Sequence, residues 1–94
     1  MPNSTAILKT NHASRYLQQL CKHFAHKIPV EFTPVDGRIT LPFGLCTLSA
    51  QDSALTLIVT GEDDKLEQME QVITNHLARF AFRENIALTW QRAG

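Results

Sequence analysis

The chain has no surplus of either charge. Nine Lys and Arg balance nine Asp and Glu. A non-specific nucleic-acid binder needs a basic excess to displace counterions, so the balance argues against that class. Long apolar runs are missing too. Nothing approaches the roughly 20 apolar residues of a membrane span, and residues 1–10 hold no apolar run of the kind found in a secretory leader. Cysteine is scarce, at two residues, Cys21 and Cys46. Without a secretory signal, that usage leads to the expectation of a cytoplasmic protein with reduced thiols. There is no CxxC, no HxxxH and no recognised catalytic signature, and there are no internal repeats, linkers or low-complexity stretches.

What is present is an ordinary globular composition, 44% hydrophobic and 19% charged over 94 residues. That is one domain, residues 1–94, at the lower end of common domain size. Such a chain buries roughly 60–65% of its unfolded surface and folds alone with modest stability. Zero formal charge leaves little electrostatic protection against self-association, so a homodimer is compatible with the composition.

Ser14–Lys27, SRYLQQLCKHFAHK, is the most periodic stretch. At about 100° per residue, Leu17, Leu20, Cys21, Phe24 and Ile28 share one face, the pattern of a helix laid on a sheet. Arg15, Gln19, Lys22, His23 and His26 make a cationic outer face. The spacing predicts a helix over about 12–26, capped by Thr10 or Asn11 and stopped by Ile28-Pro29. Before it, Ser4–Lys9 reads as an edge strand. After it, Val30–Phe32 and Ile39–Leu41 read as a hairpin turned by Thr33-Pro34-Val35-Asp36-Gly37. Pro42-Phe43-Gly44 marks a bulge or tight turn. Cys46, Leu48 and Ala50 then alternate with Leu45, Thr47 and Ser49, and Gln51-Asp52-Ser53 turns the chain into Leu55–Val59. That strand is apolar on nearly both faces, which places it centrally or across a dimer. Thr60-Gly61-Glu62-Asp63 opens a second helix whose buried stripe is Leu66, Met69, Ile73, Leu77 and Phe80. Ile86, Leu88 and Trp90 form a last strand. The expected order is β-α-β-β-β-β-α-β, an α+β two-layer sandwich with both helices on one face of an antiparallel sheet.

Few residues are candidates for chemistry. His23 and His26, at i and i+3, share a side and offer a metal or an anion two imidazoles, although no third ligand accompanies them. The plainer reading is two solvated histidines. Cys21 and Cys46 fall on core faces and read as small hydrophobes. His76 sits at the margin of the second helix's stripe with Arg79 and Arg83 on its flank. Arginine offers paired planar donors to carboxylate or phosphate, so that trio is a candidate anion site. Against it, Arg79 and Arg83 would also serve to pair with Glu84 or to cap the helix end.

With these segments laid out, the chain resembles a bacterial family known as domain of unknown function 2218. The resemblance is carried by SRYLQQLCKHFAHK at 14–27, GRITLPFGLC at 37–46 and HLARFAFRE at 76–84. It implies a TATA-box-binding-protein-like arrangement of helix, four antiparallel strands and second helix. It also implies an association with siderophore-interacting, flavin-type ferric reductases. Arg15, Tyr16, Cys21, His23, His26, Phe43, Gly44, Cys46, His76, Arg79, Phe82 and Arg83 are its typical residues, and it assigns them no roles. The resulting expectation is a non-catalytic accessory domain in iron or siderophore handling. Its ligand would be anionic, a ferric siderophore or haem, or its partner would be a reductase. The candidate binding residues are His76, Arg79, Arg83, Arg15, His23 and His26. The alternatives are a thiol- or metal-dependent enzyme and a purely structural homo-oligomerising domain.

Overall fold

The computed structural model describes residues 2–80 and 88–93. In chain order the elements are β1 (Asn3–Lys9), α1 (Ala13–Phe24), β2 (Val30–Phe32), β3 (Asp36–Leu41), β4 (Gly44–Gln51), β5 (Ala54–Gly61), α2 (Asp63–Phe80) and β6 (Gln91–Ala93). The order is the expected one. The strands form a single antiparallel sheet in the order β2-β3-β4-β5-β1-β6. Among the described residues, no helix is long and apolar enough to cross a membrane.

Alternation decides which side of the sheet is covered. Ile39 and Leu41 on β3, Cys46 and Leu48 on β4, and Leu55, Leu57 and Val59 on β5 are buried. They meet Leu17, Leu20 and Cys21 of α1 and Leu66, Met69, Ile73 and Leu77 of α2 in one core. The intervening residues, Thr47, Ser49, Thr56, Ile58, Thr5 and Ile7, therefore face away from the helices. β5 is central, as its two apolar faces predict, and it lies between β4 and β1.

Four local expectations are corrected. β1 is not an edge strand, because β6 pairs with its outer side through Asn3↔Ala93, Ser4↔Arg92 and Thr5↔Gln91. α1 ends at Phe24, two residues before the expected bound, and a turn carries the chain on to Ile28, whose amide donates to the Phe24 carbonyl at 3.0 Å just before Pro29. Its N-cap is His12, which makes no side-chain cap; Thr10 Oγ1 instead accepts from the His12 amide at 3.0 Å. The β2–β3 turn also falls earlier than Asp-Gly. Thr33 Oγ1 accepts from the amides of Val35 at 3.2 Å and Asp36 at 3.0 Å, which closes the turn before Asp36 and leaves Gly37 inside β3.

The Asp52-Ser53 turn is a two-residue hairpin with φ of 52° and 56° at its two positions, the left-handed pair such a connection requires. The last strand is only Gln91–Ala93. Trp90 precedes it and donates from Nε1 to Thr74 Oγ1 at 2.9 Å, which ties the terminus to α2. The expectations placed on Phe82, Arg83, Glu84 and Ile86 lie outside the described residues, as does that on the Phe80 side chain.

Candidate functional site

α1 and α2 lie side by side on the sheet and share one seam. Their buried stripes point down into the sheet, so the residues beside those stripes meet at the top. On α1 that margin carries His23 and Phe24, and on α2 it carries His76. The imidazole centroids of His23 and His76 are 4.9 Å apart, with the rings tilted by 50°. Phe24 packs against both, at 4.8 Å from His76 and 5.6 Å from His23. Two histidines 53 positions apart in the chain thus form one surface pair.

The His76 ring is oriented by its own helix. Its Nδ1 lies 2.6 Å from the carbonyl of Val72. A carbonyl only accepts, so Nδ1 carries the proton and Nε2 is the nitrogen directed away from the helix. The surroundings are cationic. Burial lowers the pKa of His23, and His76, Arg79, His26 and Lys27 push it down further. An anion bound at the exposed edges of the rings would relieve that repulsion, whereas a bare metal ion would add to it.

The other candidate residues are distributed unevenly. Arg79, in the last turn of α2, stands close enough to influence His23 and is exposed. His26 lies just beyond the end of α1, in the turn, and its charge still reaches His23. Arg15 is exposed on α1 eight residues before His23, which puts it about 12 Å away along the axis and outside the seam. Arg83 lies outside the described residues. Among the described residues, no group of three or more His, Cys, Asp and Glu is arranged to hold a metal ion.

Both cysteines are free and buried. Burial pushes the Cys21 thiol up to about 11, and burial followed by the neighbouring Cys21 pushes Cys46 up to about 12. At neutral pH neither is a thiolate, the form that attacks electrophiles and binds metals. The pair fills space under α1, and the site's chemistry rests on imidazole and guanidinium.

Sequence reasoning named His23 and His76 but assigned them to separate sites. It passed over Lys27, and it read Phe24 as core alone although its ring also walls the pair. Nothing in a single sequence marks which faces of two helices will adjoin.

Residues 5–91 match the family described as uncharacterized protein conserved in bacteria (DUF2218). No curated protein matches the chain. Among solved structures, the NMR structure of PA4090 from Pseudomonas aeruginosa is similar, with 37% sequence identity and a TM-score of 0.81. The match covers 97% of this chain and 96% of that one, so the likeness extends over the whole fold.

Proposed function

The chain belongs to the DUF2218 family of proteins conserved in bacteria, and on that premise we propose that it is a non-catalytic accessory domain binding an anionic ligand at the α1–α2 seam. The observation that carries this reading is the His23–His76 pair, 4.9 Å between centroids, with the cationic side chains of Arg79 and Lys27 near enough to act on His23. Two imidazoles in contact repel once both are protonated, and an oxyanion accepting hydrogen bonds from N–H groups at the edges of both rings offsets that repulsion. Arg79 adds paired donors suited to a carboxylate or phosphate. The association of similar domains with siderophore-interacting ferric reductases makes a ferric siderophore with free carboxylates the first ligand to test. It also makes such a reductase the first partner to test.

The experiment follows the imidazole resonances of His12, His23, His26 and His76 by proton NMR during titration with phosphate, citrate and a ferric siderophore. His23 and His76 should shift together and saturate, with His12 unmoved. The right ligand should bind below about 100 μM, or roughly −5.5 kcal/mol. Arg79→Ala, at an exposed position, should keep the fold and weaken binding about tenfold or more, as loss of a charge-assisted hydrogen bond does. Resonances that titrate identically with and without every ligand up to 1 mM would reduce the pair to packing.

A further inference from the structure

The face of the sheet turned away from the helices has a character of its own. On β4, β5 and β1 it carries threonine, serine, leucine and isoleucine, and no charged residue until Lys9 at the end of β1. Charged side chains stand at its margin, with Glu31 on β2 and Asp36 and Arg38 on β3. A charge-depleted centre inside a charged rim is the anatomy of a protein interface rather than of a solvated face. The face also bears a knob and a hole. Ile7 is 59% exposed, the most exposed large hydrophobic side chain among the described residues. Across β3–β5 runs a concave groove of about 610 Å³, lined by Arg38, Thr47, Ser49, Thr56 and Ile58 among others.

We propose that this open face is a two-fold homodimer interface in which Ile7 of each copy seats in the groove of the other. The register makes the fit specific. β5 is flanked by β4 and then β3 on one side, and by β1 and then β6 on the other. A two-fold axis lying over β5 and parallel to it lays the partner's β1 across β4, and the partner's β6 across β3. Ile7, Thr56 and Ser49 share one cross-strand row. The partner's Ile7 therefore comes down over Ser49, in the groove, and Ile58 meets its own copy near the axis. Arg38 shares its row with Thr47, Ile58, Thr5 and Gln91, so it faces the partner's Gln91. Lys9 shares a row with Ala54 and Gln51 and faces the partner's Gln51. No like charges oppose one another in this arrangement.

Stacked sheets approach to about 10 Å, a spacing that short Thr, Ser, Ile and Leu side chains fill and long charged ones do not. Four strand spacings by eight residues give a projected face of roughly 500 Å² per copy. The pair therefore buries roughly 1,000 Å² or more, the threshold of a specific interface. With zero formal charge, no long-range repulsion opposes the encounter. The interface lies on the opposite side of the sheet from the histidine seam and stands or falls independently of ligand binding.

Sedimentation velocity on the full chain from 1 μM to 1 mM tests it. Wild type should pass from monomer to dimer across the series. Ile7→Asp should weaken association at least tenfold while leaving far-UV circular dichroism unchanged. Ser49→Lys, which places a charge in the floor of the groove, should do the same and covers the case in which Ile7→Asp fails to fold. In a mixed sample of labelled and unlabelled protein, isotope-filtered NOEs should join the Ile7 methyls to Ser49. Three results overturn the proposal: a wild-type monomer at 1 mM, undiminished association in both folded variants, or filtered NOEs arising from α1 or α2.

Discussion

Gly37→Ala is the sharpest probe of how α1 sits on the sheet. Gly37 pairs with Leu48, and its free side faces the underside of the helix. A methyl group there would stand 2.8 Å from Cys21 Sγ, 3.3 Å from Leu48 Cδ1 and 3.4 Å from Leu17 Cδ2. Comfortable contact between such atoms is about 3.5–4.0 Å, so the sulfur is the principal clash. Cys21 and Leu17 are both fully buried and have nowhere to swing. Overpacking of this kind costs about 1–3 kcal/mol. Alanine recovers about 0.5–1 kcal/mol over glycine through the lower entropy of its unfolded chain. The net loss of about 1–2 kcal/mol should lower the melting temperature by roughly 5–15 °C. Cys21→Ala alone leaves a small cavity and should also destabilise. In the double variant the new methyl enters the space the sulfur vacates. Urea denaturation of all four proteins should therefore give a favourable coupling of about 1 kcal/mol. If the two losses simply add, Gly37 does not face Cys21 and the packing of α1 described above is wrong.

Two further outcomes follow from single residues. The folded protein holds His23 below its usual pKa, by burial first and then by the cations around it. The unfolded chain therefore takes up that proton more readily, so the contribution is complete above about pH 6.5 and is lost as pH falls through the folded value. Denaturation from pH 7.5 to 5 in a non-binding buffer should show a small acid-side decline that His23→Gln removes; a decline unchanged in that variant belongs to other groups. At the β4–β5 hairpin, Ser53 has φ of 56°. Ser53→Gly should raise stability by about 0.5–1 kcal/mol in thermal melts, and a loss would place that residue outside the left-handed region in solution.

Much of the fold is legible because its signals are local. The stripe Leu66, Met69, Ile73 and Leu77 reads as helix at a 3.6-residue period, and all four side chains are buried. The alternation of Cys46, Leu48 and Ala50 with Leu45, Thr47 and Ser49 assigns the faces of β4 from its pleat alone. Even the hydroxyl-rich outer face is visible as the complement of that pattern. Turns are less secure, since Asp36-Gly37 carries the chemistry of a hairpin turn yet lies within β3, its glycine claimed by the space Cys21 needs.

The amino-acid sequence by itself therefore determined the element order, the sides each element buries, and the residue types available for binding. The tertiary structure alone decided that β6 covers β1, and that His23 on α1 and His76 on α2 become one pair of rings. It also set Ile7, Thr56 and Ser49 in one row. Side-chain periodicity is a property of a few neighbouring residues, written along the chain. Strand order and helix adjacency depend on which buried faces close over a common core, and that is settled by contacts between segments tens of residues apart.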